Sequence, residues 1–287
     1  MDKKFESAAL KWFAPLAEQL ALHRKSARGP FFVGLNGCQG SGKSTLTAFL
    51  VDTLKQVYHL NAHCMSLDDF YLTKSERQTL SRDVHPLFAT RGVPGTHDTT
   101  LLNSVLVALK DHQYPVEVPI FNKATDDRMH KSGWSAIQQE VDIVLVEGWC
   151  WGVGAQESEA LTSPVNDLEK ENDPNGIWRN YVNQSLINDY LPLYQLMDFW
   201  VMLAAPSFSC VYDWRLQQES KLIDALKESN CFDENSQNGI MKPEQIATFI
   251  QHYQRLTEHG LATLSNKMDV CLQLDNKRNI INAKGLS

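Results

Sequence analysis

Phe31-Phe32-Val33-Gly34-Leu35-Asn36-Gly37-Cys38-Gln39-Gly40-Ser41-Gly42-Lys43-Ser44-Thr45 is the stretch on which the fold turns. Pro30 opens an apolar run, Phe31 to Leu35, that reads as a buried strand. Gly37 to Ser44 spells the phosphate-loop pattern G-x-x-x-x-G-K-[ST]. Lys43–Gln56 then places Leu46, Phe49, Leu50 and Leu54 at helical spacing. Strand, glycine-rich loop and helix thus come in the order the motif demands. Glycines allow positive φ and let the backbone curl round an anion with no Cβ in the way. The backbone of Gly37, Cys38, Gln39, Gly40, Ser41, Gly42, Lys43, Ser44 and Thr45, at the positive end of a helix, is therefore the expected cradle for the phosphates of ATP. Lys43 is expected to reach the β- and γ-phosphates, and the Ser44 hydroxyl to ligate Mg²⁺. Cys38 and Gln39 contribute backbone, and no role falls to the Cys38 thiol.

Further along the chain, Ala62–Leu67, Val141–Val146, Phe199–Ala204 and Val270–Leu274 are apolar runs, each followed by polar or turn residues. Helical patterns at Thr99–Lys110, Leu216–Ser229 and Pro243–Leu264 lie between them. Continuous apolar strands separated by helices predict a parallel sheet covered on both faces, hence a doubly wound α/β fold of the P-loop NTPase type. Residues 5–24 form an amphipathic lead-in helix, within an N-terminal helical segment 1–29; Pro15 marks a kink or break in it. The polar, turn-rich stretch 155–180 reads as a surface insertion rather than a boundary, so residues 1–287 are read as one domain.

Bulk composition narrows the function classes. The chain has 287 residues, 43% of them hydrophobic, enough for a full core. A formal net charge of −7 argues against a nucleic-acid backbone binder, which needs a basic face. No apolar run approaches the ~18 residues of a transmembrane helix, and the charged N-terminus is no secretory signal. The six cysteines are scattered singly, with no CxxC pair, which fits reduced thiols in a cytoplasmic protein with no membrane partner. Nothing in the sequence speaks to oligomeric state.

Two carboxylates stand where strands end. Val141–Val146 delivers Glu147, at the place of a Walker B acid that holds Mg²⁺ directly or through water; the usual residue there is Asp. Ala62–Leu67 runs into Asp68-Asp69-Phe70-Tyr71, and the strand after the loop's helix should neighbour the loop's strand. Asp68 is the expected general base for an acceptor hydroxyl, with Tyr71 beside it in the acceptor site and Asp69 a solvated or helix-capping neighbour. Asn266-Lys267-Met268-Asp269 and Asp173-Pro174-Asn175-Gly176 spell the guanine-reading N-K-x-D and D-x-x-G fragments. The first precedes a strand and the second follows a charged stretch, the wrong ends for ligand contact in an open α/β sheet. Both are read as coincidences.

GCQGSGKST, SLDDFY, RGVPGTHD, VPIFNK, VLVEGW and DWRLQQE occur in this order. Together they resemble the plant-type D-glycerate 3-kinase family and its fungal and bacterial relatives, within the wider phosphoribulokinase, uridine kinase and pantothenate kinase group. The similarity spans roughly residues 30–280. It implies an ATP-dependent kinase on a five-stranded parallel core, with D-glycerate as acceptor and 3-phosphoglycerate as product. Pantothenate-like or nucleoside-like acceptors, or a regulatory ATPase with none, are the alternatives. It also implies that Asp68 matches the group's base and that 207–230 is a lid carrying Arg215, which neutralises charge on the transferring phosphoryl group. Arg91, Lys123 and Arg128 are the cations expected to hold an anionic acceptor. Asp98, with His97 beside it, reads as a helix N-cap, and 275–279 as an adenine contact. One departure stands out: the family's Tyr-Asp-Lys-Ser is Phe121-Asn122-Lys123-Ala124 here, so Lys123 remains while the Asp and Ser are lost.

Overall fold

The structure, a computed structural model, describes residues 7–228 and 243–286. Residues 1–6 of the lead-in segment, residues 229–230 of the expected lid and Cys231 lie outside the described residues.

The lead-in helix is unbroken. A π-turn, Ala9–Phe13, runs directly into α1, Ala14–Ser26. The break expected at Pro15 does not occur: the π-turn ends immediately before it, with the Ala14 N–H bonded to the Ala9 carbonyl, so the regular i→i−4 ladder is already interrupted where the Pro15 N–H is missing. Then come β1 (Phe31–Gly37), α2 (Lys43–Tyr58), β2 (Ala62–Ser66), α3 (Lys74–Asp83) and α4 (Thr99–Lys110). Asp98 caps α4 by accepting the Leu101 N–H at 3.0 Å. Four short strands follow: β3 (Val116–Val118), β4 (Phe121–Asn122), β5 (Asp127–Arg128) and β6 (Ser135–Ile137). They pair as two small antiparallel ribbons, β3 with β6 and β4 with β5. After β7 (Ile143–Gly148) the chain forms α5 (Asp167–Asn172), α6 (Ile177–Ser185) and α7 (Leu191–Tyr194). It closes with β8 (Phe199–Ala204), α8 (Ser209–Glu228), α9 (Pro243–Thr263), β9 (Val270–Leu274) and β10 (Ile280–Lys284).

The central sheet runs β10-β9-β8-β1-β7-β2, so β2 does not neighbour the loop's strand as expected: β7 lies between β2 and β1 and pairs with both. The five strands expected from the apolar runs are its parallel core, and β10 adds a sixth, antiparallel edge. Alternation along each strand splits the core in two. Phe31, Val33 and Leu35 face the layer formed by α1, α2 and the start of α8, with Leu46, Leu50 and Leu54 of α2 fully buried there. Phe32, Val144, Val146 and Met202 face the opposite layer, built from α4, the 178–193 helices and Leu256 of α9. Each buried Leu of this kind contributes ~1.5–3 kcal/mol, so both faces of the sheet are secured by helices.

The segment 155–180 carries exposed polar residues and also buried ones. Glu169 and Asp173 are buried, paired with Arg255 at 2.6 Å and Arg179 at 3.0 Å. Asp173 accepts the N–H groups of Trp178 and Arg179 at the start of α6, so the D-x-x-G fragment is a helix cap. Asp269 lies at the amino end of β9 and accepts the Trp200 N–H at 2.7 Å. Both fragments are structural, and N-K-x-D stands at the sheet edge opposite the phosphate loop.

Candidate active site

Register brings the functional residues together. In the parallel ladders Leu35 of β1 and Ser66 of β2 both stand opposite Glu147 of β7. The carboxyl ends of three adjacent strands therefore deliver the phosphate loop, Glu147 and Asp68 to one crevice, the usual ligand position in open α/β sheets.

The loop itself has the form of an anion cradle. Gly40 and Gly42 take φ of +76° and +102°. A Cβ on Gly40 would also meet Trp214 Cβ at 2.8 Å, so only glycine fits between loop and α8. A Cβ on Gly37 would fill the cradle, meeting Ser41 Oγ at 2.7 Å. The Ser41 hydroxyl is buried without a hydrogen-bond partner among the described residues, as is the Gln39 side-chain oxygen. Cys38 is buried, and that burial pushes its thiol up to about 12, so it remains a neutral thiol. Lys43 Nζ lies 3.4 Å from the Cys38 carbonyl and 3.8 Å from Glu147 Oε2. Ser44 Oγ donates to Glu147 Oε1 at 3.0 Å, and Thr45 is exposed in the first turn of α2.

These donors fit Mg²⁺. The ion prefers one or two protein oxygens, the rest of its octahedron coming from phosphates and water. A hydroxyl already touching a buried carboxylate beside an orphaned serine could supply that set.

Opposite the loop, Asp68 and Asp69 part company. Asp68 Oδ2 accepts from Lys123 Nζ at 2.7 Å and Oδ1 from the Tyr71 hydroxyl at 3.0 Å. Burial pushes the Asp68 carboxyl up, but the Lys123 ammonium, helped by Lys43, outweighs it and holds the group below its ordinary value. Asp69 is neither a solvated neighbour nor a helix cap. Its Oδ1 accepts the Phe121 N–H at 3.2 Å, fastening β4, and burial raises its pKa despite that bond. The local cap is Ser66, whose hydroxyl accepts the Asp68 N–H at 3.3 Å.

The expected cations gather nearby, each with a partner. Arg91 pairs with Asp126 and lies over the Phe121 ring at 5.3 Å. Arg128 bonds Asp98 Oδ2 at 2.8 Å and lies 3.6 Å from Glu76. Arg215, in α8, pairs with Glu219 one turn on. In the 275–279 loop, Trp214 Nε1 donates to the Asn276 carbonyl at 2.8 Å, and Arg278 stacks over Trp214.

Several residues of this site escape sequence reasoning. Asp126, at φ +55°, joins Arg91 to the buried Arg77. Tyr253 of α9 donates to the Arg91 carbonyl at 3.2 Å, and Trp149 Nε1 to the Gly92 carbonyl at 2.9 Å. Gly92 has φ +141°, and a Cβ there would strike the Tyr253 ring at 2.5 Å. The glycine in RGVPG was the available signal; its partner, far along the chain, was not. His97, read only as a cap's neighbour, is buried and stacks on Tyr71 at 4.5 Å.

A phosphate loop on a parallel sheet, a hydroxyl–carboxylate pair beside it and the Asp68 carboxylate across the crevice are the features of a P-loop kinase, an ATP-dependent phosphotransferase. No family model matches the chain. An uncharacterized kinase of Schizosaccharomyces pombe, mug58, is 35% identical over 85% of this chain and 87% of its own length. The chloroplastic D-glycerate 3-kinase of Arabidopsis thaliana is 29% identical over 86% of this chain and 52% of that longer protein. The solved structure of D-glycerate 3-kinase from Cryptococcus neoformans var. grubii superimposes with a TM-score of 0.75 at 29% identity, covering 99% of both chains. The chain belongs to the P-loop kinase family that includes the D-glycerate 3-kinases and their fungal relatives. Among the described residues, no helix is long and apolar enough to cross a membrane.

Proposed function

We propose that this kinase phosphorylates a small hydroxy acid, D-glycerate, at its terminal hydroxyl, giving 3-phosphoglycerate. One observation carries the reading: Asp68 stands between the phosphate loop and a set of cations suited to a carboxylate. Lys123, bonded to Asp68 at 2.7 Å, and Lys43 of the phosphate loop both act on the Asp68 charge. Arg91 and Arg128 lie on the neighbouring segments.

In this mechanism the loop amides and Lys43 hold the β- and γ-phosphates, and Ser44 with Glu147 holds Mg²⁺. When bound, the ion neutralises charge on the phosphate oxygens. Asp68 takes the proton of the acceptor hydroxyl as its oxygen bonds to the γ-phosphorus and the bond to the bridging oxygen breaks, releasing ADP. The depressed pKa keeps Asp68 ionised at neutral pH. Each carboxylate oxygen has a second lone pair beyond those given to Lys123 and Tyr71, so a hydroxyl can still be received. Tyr71 orients that carboxylate, while Arg91, Lys123 and Arg128 meet the acceptor's carboxylate in place of their present partners. Arg215, from the lid 207–230, adds positive charge to the transferring group. We take the chain as one domain, and the five described cysteines, all free thiols, accord with a cytoplasmic setting.

ADP release by the purified chain, with glycerate, pantothenate, a nucleoside or no acceptor, tests the reading. Glycerate alone is expected to stimulate turnover, and Lys43→Ala to abolish it in a folded protein. Stimulation by another acceptor reassigns the substrate. Turnover that needs no acceptor removes the kinase chemistry proposed here.

A further inference from the structure

His97 is 4% exposed, and its Nε2 has no hydrogen-bond partner among the described residues. A buried polar nitrogen without a partner costs stability and calls for an occupant. Which proton it carries follows from its other nitrogen. Nδ1 meets the Tyr190 hydroxyl at 2.5 Å. Burial keeps the Tyr190 phenol protonated, and the Gly95 N–H acts on its oxygen as donor. The phenol proton therefore goes to Nδ1, and Nε2 carries the ring's proton. The opposite arrangement would strand two groups, the phenol proton and the Nε2 lone pair. The ring stays neutral, because burial lowers its pKa to about 3 against the opposing pull of Asp68.

Position ties this donor to the acceptor. The His97 ring lies nearly parallel to the Tyr71 ring, 4.5 Å away, and Tyr71 and His97 also share a backbone bridge. The Tyr71 hydroxyl is the group bound to Asp68, 3.0 Å from Oδ1. A neutral N–H is thus fixed one ring-stack from the base, beside Asp98, which holds Arg128 at 2.8 Å. The arginines suit a carboxylate, whereas a neutral imidazole N–H suits an uncharged oxygen.

We propose that His97 is a specificity-determining residue whose Nε2–H donates to the hydroxyl of the acceptor next to the one phosphorylated, with Tyr190 as the positioning residue that fixes its tautomer. This rests on the small-hydroxy-acid reading above. In glycerate the oxygen is the 2-hydroxyl. Without it the Nε2–H would stay buried and unpaired, so an acceptor lacking that group is disfavoured.

The experiment compares kcat/KM for D-glycerate and 3-hydroxypropanoate, which lacks only the 2-hydroxyl. The ratio of the two is independent of how much enzyme is folded. Wild type is expected to favour glycerate. His97→Asn keeps a polar group near Tyr190 but removes the Nε2 donor, and is expected to shrink the ratio by about 10- to 100-fold, the worth of one such bond. His97→Gln, which returns an N–H near the Nε2 position, should keep more of it. Tyr190→Phe should shrink it in part, and it tests the idea even if both His97 variants are inactive. In each variant the KM for ATP should hold. Full discrimination in active His97→Asn, or in Tyr190→Phe if His97→Asn is inactive, overturns this inference alone. Wild-type turnover of neither acid overturns the hydroxy-acid reading and this inference with it.

Discussion

Asp68 and Asp69 are chemically identical neighbours that the fold sends to different tasks. One turns towards Lys123 and Tyr71, the other towards the Phe121 amide. Asp68→Asn keeps shape and hydrogen bonding but removes the proton acceptor, so kcat is expected to fall ~10²–10⁴-fold with ATP binding nearly unchanged. Asp69→Asn should cost much less. Parallel measurement of kcat and ATP affinity checks this, and equal, mild losses would remove Asp68 from the mechanism. The pH profile gives a second reading. Because Lys123 holds Asp68 below the ordinary carboxylate range, the acid limb of kcat/KM should lie below that range. Lys123→Ala removes the strongest opposition to burial and leaves only Lys43 against it, so the limb should move to higher pH; an unmoved limb would acquit Lys123 of setting it. At this scale the sequence pointed to the two adjacent carboxylates at the end of β2. Their division of labour depends on Lys123 and Phe121, more than fifty residues away.

Among elements, the tie between α9 and α5 is the clearest case of long-range dependence. Arg255 and Glu169 form a buried pair, and Arg255 also donates to the carbonyls of Ala160 and Ser163. Tyr253, two residues earlier in α9, bonds the Arg91 carbonyl, so this helix also supports the acceptor side of the crevice. Arg255→Ala leaves Glu169 buried without its cation and is expected to cost about 3–5 kcal/mol in denaturant unfolding. Adding Glu169→Leu should recover part of that loss, since the uncompensated charge goes with it; a double variant no better than the single would show that the carboxylate was not the burden. The helical period of α9 was plain in the sequence, as were α2 and α4. The buried charges in 155–180 were not, because a polar stretch reads alike whether its partners are solvent or a distant arginine. The strand β10 was missed for a related reason: Ile280–Lys284 is a half-exposed edge with no continuous apolar run.

On the scale of the molecule, base choice depends on which end of the sheet a loop occupies. Asp269 sits at the amino end of β9, bonded to the Trp200 N–H, while the phosphate loop opens at the carboxyl end of β1. ATP should therefore be preferred to GTP, and Asp269→Ala should leave that preference unchanged. A protein that favoured GTP and lost that preference in Asp269→Ala would place the base-reading loop at the wrong edge of this sheet.

By itself the sequence determined the parallel core, the phosphate loop and the carboxylates at strand ends, because these rest on local periodicity and on spacing within a single strand–loop–helix unit. Only the tertiary structure decided which partner each charge takes, that Pro15 leaves its helix whole, and that His97 holds a buried, unpartnered nitrogen. Those outcomes depend on desolvation and on contacts between segments far apart in the chain, such as His97 with Tyr190 and Glu169 with Arg255. No local pattern of residues encodes them.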